Sequence, residues 1–251
     1  RPAILYCTRD ITRITELENL LQRAEKMELI GTMAGGVAHD LNNILSGLVS
    51  YPELLLMQLD EDSPLVEPIQ FMLESGLKAA DIVQDLLTLT RRGISVEKVV
   101  DLNTCVDEFL NSGSFQRLTS HFPGVTFQNT LASDLLRLKG SPAHISKIIM
   151  NLVINAAEAI DGSGEVGVET ANQYVDSPLS RYDSIKEGDY VVLKVWDTGT
   201  GIPEDQIHRI FEPFFTKKQM GRSGSGLGLS VVWNSVKDHS GYIEVNGRPE
   251  G

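Results

Sequence analysis

The sequence has very little cysteine. Cys7 and Cys105 are its only two in 251 residues, and they stand far apart with no metal-ligand spacing. That excludes a disulfide framework and a cysteine-held metal, and suits a reduced, cytoplasmic chain. Basic charge is also scarce: 22 Lys and Arg face 34 Asp and Glu, for a net charge of −12. Bulk nucleic-acid binding is excluded, because no basic excess exists to neutralise phosphates. A nucleotide needs only a local positive site and stays open. No apolar run approaches the roughly 18 residues of a membrane span, so no membrane contact is expected from this segment. No signal peptide, repeat or low-complexity tract is evident. The first residue is Arg1, not Met, so the sequence reads as a piece of a longer chain, anchored or not. What is present is ordinary globular composition: 41% hydrophobic and 22% charged residues, long enough for one large or two ordinary domains.

Residues 1–12 hold a short strand-like run and read as the tail of an upstream domain. Residues 13–28 alternate apolar positions by three and four (Ile14, Leu17, Leu21, Ala24, Met27), which suggests a coiled-coil linker. The same period continues through Ile30, Met33, Val37, Leu41, Ile44 and Leu48, one face of a helix. His39 lies roughly 200° from Val37 at about 100° per residue. It therefore points away from the stripe, with Asp40 beside it and Asn43 one turn on. Alone, this polar trio reads as a solvated helix face. Pro52 is a potential kink before the pattern ends near Leu59 and the acidic turn Asp60–Pro64. A second helix puts Ile69, Met72, Leu73, Gly76, Ala80, Val83, Leu87 and Thr90 on one face and stops at Arg91-Arg92-Gly93. Residues 29–93 thus form a helical hairpin with too little apolar partner surface of its own. Two chains are expected to pair into a dimeric four-helix bundle.

Residues 97–251 mix strands and helices, as in an α/β sandwich. Strands are expected at Glu97–Leu102, Val125–Gln128, Leu135–Lys139, Glu165–Ala171, Tyr190–Trp196 and Tyr242–Val245. Asn103 caps a helix through about Leu118, Ser141-Pro142 opens one running to about Ile160, and a last helix spans Leu229–Ser240.

Three motifs carry chemistry. Asn151 and Asn155 share one helix face, and carboxamide oxygens suit Mg²⁺; a plain polar face is the alternative. Asp197-Thr198-Gly199-Thr200-Gly201 follows a strand, so the backbone can approach a ligand and the carboxylate can accept from an amine; a glycine-rich turn is the alternative. Phe211, Phe214 and Phe215 are expected to pin one end of a loop carrying Lys217, Lys218 and Arg222. The loop ends in Gly224-Ser-Gly226-Leu-Gly228, which opens a helix suited to phosphate and is not a Walker A loop.

Together, in this order after a helical hairpin, these motifs resemble the boxes of sensor histidine kinases of two-component systems. His39-Asp40-x-x-Asn43 resembles the H box, Asn151 to Asn155 the N box, Asp197-x-Gly-x-Gly the G1 box, Phe211–Phe215 the F box and Gly224–Gly228 the G2 box. The resemblance covers about residues 20–250, and Asp10-Ile11-Thr12 resembles the exit of a PAS sensor domain. It implies a phosphoacceptor and dimerisation domain at 29–93 and a GHKL-type ATP-binding domain at 97–251. By the resemblance, ATP and Mg²⁺ are bound. Asp197 reads the adenine amine, Gly199 and Gly201 allow close approach, Asn155 holds the metal and Asn151 supports it. Lys218 contacts phosphates, residues 216–225 form a lid, and Gly224, Gly226 and Gly228 shape the phosphate turn. His39 accepts the phosphoryl group with Asp40 orienting it, and passes it to an Asp of a response-regulator receiver. Asn43 positions water for a reverse, phosphatase reaction. A GHKL ATPase that works by conformational change and a non-catalytic ATP-binding scaffold are the alternatives. His39-Asp40-x-x-Asn43 on a hairpin argues against the first, and His39, Asn155 and Asp197 argue against the second.

Overall fold

The computed structural model describes residues 40–60, 62–90, 98–176, 179–180, 184–207, 209–216 and 225–247. The upstream tail and linker of residues 1–28 lie outside them. The chain divides into two compact units, Arg1–Arg91 and Arg92–Gly251.

In the first unit, helix α1 covers residues 40–56 and α2 covers Val66–Thr90. Leu45 and Val83 are buried between them, flanked by Leu41, Ala79, Ala80 and Leu87. Gly76 allows the close approach: a Cβ there would lie 3.1 Å from the Leu48 carbonyl oxygen. Pro52 is accommodated within α1 and buried. The buried stripe is narrower than the expected apolar face. Ile44, Leu48 and Met72 are exposed, as are Tyr51 and Phe71. The physical reason is geometric: one helix covers only one side of its neighbour, so the rest of each stripe finds no partner among the described residues.

The second unit is built around a mixed sheet ordered β2-β4-β7. Here β2 is Val125–Leu131, β4 Gly164–Val175 and β7 Gly188–Asp197. Strand β4 runs parallel to β2 and antiparallel to β7, in register from Val166↔Asp197 to Val175↔Gly188. The two-stranded pieces β1 (Lys98–Val100) with β3 (Leu138–Gly140), and β5 (Leu179–Ser180) with β6 (Ser184–Ile185), are antiparallel. Helices α3 (Leu102–Leu110), α4 (Gly113–His121), α5 (Pro142–Glu158), the short α6 (Glu204–Ile207) and α7 (Gly228–Asp238) complete the unit.

Period-two alternation in the strands meets the helical stripe in one core, where Val166 and Val168 pack with Ile145, Ile149, Val153 and Ala156. Burying a side chain such as Ile149 completely is worth about 1.5–3 kcal/mol. On the opposite face Trp196 lies over Gly167, where any Cβ would collide with the indole. Its Nε1–H donates to Glu169 at 2.6 Å, and Lys194 donates to the other carboxylate oxygen at 3.0 Å. The Lys194 bond, reinforced by Trp196, holds the Glu169 carboxyl below its ordinary range. These contacts fix the end of β7, where the Asp197 loop begins.

Two expected elements differ. The helix after β1 is capped by Asp101, whose side chain accepts from the Asn103 amide. It breaks at Asn111-Ser112, because Ser112 starts a new helix by accepting from the Phe115 amide. Residues 242–245 are not a strand; Tyr242 instead sets its ring edge-on to Tyr190 at 5.7 Å.

Candidate nucleotide site on helix α5

Helix α5 organises the site. Ser141 and Pro142 start it by sequence-local rules, with Pro at the first position. The apolar run behind it then buries one side and leaves Asn151 and Asn155 on another. Asn151 is 9% exposed, and its Nδ2 has no hydrogen-bond partner. An orphaned buried amide is costly, about 1–3 kcal/mol, unless a ligand or water meets it. Gly228, the first residue of α7, faces this amide. A Cβ on Gly228 would lie 3.3 Å from Asn151 Oδ1 and 3.8 Å from Asn155 Nδ2. The N-cap position Leu227 supplies no side-chain cap for α7. The positive dipole end of α7 therefore lies beside the two carboxamides.

The Asp197 loop joins the other end of the same helix. Asp197 Oδ1 accepts from the Gly199 amide at 2.8 Å, which closes the turn and leaves Oδ2 as the second acceptor. The Thr200 amide donates to the Ala159 carbonyl at 3.0 Å, one turn beyond Asn155. Gly199 is required there, since a Cβ would run into that carbonyl oxygen. Gly201 has φ +69 and open space around it. The loop is tied back to β4 by Glu165 N–H donating to Thr198 Oγ1 at 2.9 Å.

A second junction closes the loop that follows Phe211. The Phe214 amide donates to the Gly226 carbonyl at 2.9 Å. Gly226 has φ +67, and Phe214 itself has φ +64. Phe211 is buried against Trp233, with ring centroids 5.2 Å apart. Phe214, however, is 56% exposed, so its ring does not pin this end as expected; its backbone bond to Gly226 does.

The structure thus brings Asn151, Asn155 and Gly228 together and links Asp197, Gly199 and Gly201 to the same helix. His39, Lys218 and Gly224 lie outside the described residues. Asp40 and Asn43 are exposed on α1. Sequence reasoning missed Ala159, Thr198 and Thr200 as the anchors of the Asp197 loop. Only the two Thr residues, within the glycine-rich run, gave any signal. A half-open cleft of about 400 Å³, lined by Leu110, Phe115, Phe127 and Val168 among others, holds none of the predicted residues. Asn151 Oδ1, which a Cβ on Gly228 would approach to 3.3 Å, is an oxygen of the kind Mg²⁺ accepts, while the orphaned Asn151 Nδ2 can only donate and suits a phosphate oxygen.

Residues 140–251 match the family described as histidine kinase-, DNA gyrase B- and HSP90-like ATPase. Over these residues the chain is similar to the ATPase domains of that family. More particularly, the chain is homologous to sensor histidine kinases. It is 33% identical to the sensor kinase CckA of Brucella abortus (strain 2308), over 93% of this chain and 24% of that protein. It is 31% identical to the sensor histidine kinase ZraS of Escherichia coli (strain K12), over 91% of this chain and 45% of that one. A solved structure, full-length ShkA in complex with AMPPNP, aligns with TM-score 0.61 at 20% identity. It covers 82% of this chain and 41% of that chain, a likeness of fold. The chain spans less than half the length of these relatives. No helix among the described residues is long and apolar enough to cross a membrane.

Proposed function

We propose that this chain is the core of an ATP-dependent protein-histidine kinase in two-component signalling. Its α5 site binds ATP and its His39 accepts the γ-phosphoryl group. The observation that carries the nucleotide reading is the meeting of Asn151 and Asn155 with the uncapped start of α7 at Gly228. The homology to sensor histidine kinases supports the transfer reading. Asp197 Oδ2 accepts from the adenine amine, while Gly199 and Gly201 keep the loop backbone close to the base. The first amides of α7, with Gly224, Gly226 and Lys218, hold the phosphates. Asn155, assisted by Asn151, is the residue that would hold Mg²⁺, which when bound neutralises phosphate charge.

A neutral imidazole nitrogen of His39 attacks the γ-phosphorus in line. The N–P bond forms as the bond to the ADP oxygen breaks. Asp40 orients the ring and takes up its other proton. The phosphoryl group then moves to an Asp carboxylate of a response-regulator receiver. The Asn43 amide positions water when the regulator is dephosphorylated. The exposed apolar residues of the hairpin, Ile44, Leu48, Tyr51, Phe71 and Met72, support pairing of two chains into a four-helix bundle. Transfer to a receiver places the segment in the cytoplasm.

Incubation with γ-labelled ATP tests the reaction. An acid-labile, base-stable label is expected. Acid-stable label, or none from a chain that binds ATP, contradicts transfer to histidine.

A further inference from the structure

We propose that His239 is a positioning residue for the nucleotide site. It clamps the end of α7 to the start of α5 through a neutral imidazole protonated at Nδ1. The inference rests on the nucleotide reading above and adds to it a residue outside every motif.

The geometry fixes the tautomer. The Ser141 backbone N–H donates to His239 Nε2 at 3.0 Å, and an amide nitrogen can only donate. Nε2 must therefore carry a lone pair. Nδ1 lies 2.6 Å from the Ser235 carbonyl oxygen, which can only accept, so Nδ1 carries the proton. Both ring nitrogens are committed. The bond to Ser141 spans 98 positions in sequence. Room for the ring is built in: a Cβ on Gly140 would lie 2.8 Å from His239 Cδ2 and 2.9 Å from Nε2. Ser141 makes no side-chain cap bond at its helix, so its backbone N–H to His239 is its tie at this point.

The position of this clamp gives it meaning. His239 is the C-cap of α7 and Ser141 the N-cap of α5. The same two helices meet at the nucleotide site through Gly228 and the two asparagines. The clamp and the candidate ligand site thus lie at two places along the same pair of packed helices. By linkage, a ligand that bridges the helices stabilises the clamp, and the clamp pre-organises the ligand site. The neighbouring His144 ring, 6.1 Å away centroid to centroid, and Asp238 pack beside the clamp without replacing either bond. Among the described residues no cluster there is arranged to hold a metal.

Three measurements on the whole chain test this. Long-range ¹H–¹⁵N NMR should show His239 with protonated Nδ1 and bare Nε2, and AMPPNP should slow exchange of the Ser141 amide. His239→Phe keeps the ring shape without the bonds. It should weaken AMPPNP binding about three- to tenfold while the chain stays folded. His239→Gln, whose carbonyl oxygen can accept from Ser141, should recover most of that loss. Should His239→Phe fail to fold, Gly140→Ala displaces the ring with His239 retained, and should weaken binding similarly. Wild-type affinity in folded His239→Phe, or an Nε2-protonated ring in the native chain, overturns the proposal. Failure of the wild-type chain to bind AMPPNP overturns the nucleotide reading and this role with it. The NMR tautomer separates that case from a wrong clamp.

Discussion

Gly226 and Gly201 offer a controlled comparison, because their backbones match and their surroundings do not. Gly226 has φ +67 and Gly201 φ +69. Placing alanine in that left-handed region costs about 1–2 kcal/mol at either position. At Gly201 nothing lies within 4 Å of the new Cβ, so the cost ends there. At Gly226 the Cβ would sit 2.6 Å from the Phe214 carbonyl carbon and 2.8 Å from its Cα. Backbone cannot move aside as a flexible side chain does. Phe214 must shift and lose its 2.9 Å amide bond to the Gly226 carbonyl. That adds about 1 kcal/mol for the bond alone. Gly226→Ala should therefore destabilise the ATPase unit by about 2–4 kcal/mol, against about 1–2 for Gly201→Ala. Urea unfolding without nucleotide reads this directly as a midpoint shift at unchanged slope. Equal losses at the two glycines would refute the claim that the Phe214–Gly226 junction is a close backbone contact. Nucleotide affinity should also fall in Gly226→Ala, because the same junction sets where α7 begins.

Asp197→Asn keeps an oxygen for the Gly199 turn but turns an acceptor into a donor. Nucleotide affinity should drop by about 1–3 kcal/mol, and unchanged calorimetric affinity would sink the adenine role. Asn43→Ala should leave labelling of the chain by ATP intact and slow dephosphorylation of the regulator; an unchanged dephosphorylation rate removes Asn43 from that step. Burial pushes the His144 imidazole below its ordinary value, against an opposing pull from Asp238. With the folded value depressed, the unfolded chain binds the proton more readily. His144 thus contributes stability above about pH 6.5, lost as pH falls through its lower folded value. Burial raises the Asp238 carboxyl, which acts in the opposite sense at lower pH. Urea midpoints at pH 5.5 and 7.5 should therefore fall less on acidification in His144→Asn than in the wild type. An identical fall rules His144 out.

The parts legible in the sequence are those set by short-range rules. Ser141-Pro142 announces α5, the three-four period gives its buried side, and Asn151 and Asn155 follow from one turn of spacing. The alternation in β4 and β7 was legible for the same reason, because period two survives wherever one face is buried. Other features depended on competition or distance. The split between α3 and α4 arises because Ser112 offers a better cap than helix continuation does. The exposure of Ile44, Leu48 and Met72 could not be read from periodicity, which marks an apolar face without saying what covers it. Phe214 looked like an anchor by type, yet its backbone does the anchoring. The His239 clamp joins residues 98 positions apart and leaves no local pattern at all.

The central claim is that ATP bound beside Asn151 and Asn155 phosphorylates His39. Its most direct test maps the phosphate by mass spectrometry, under neutral conditions, after the chain has been incubated with ATP and Mg²⁺. The account predicts a single phosphate on the His39 peptide, absent in His39→Gln although that variant still binds ATP. Phosphate that persists in His39→Gln, or that maps to another residue, would contradict it.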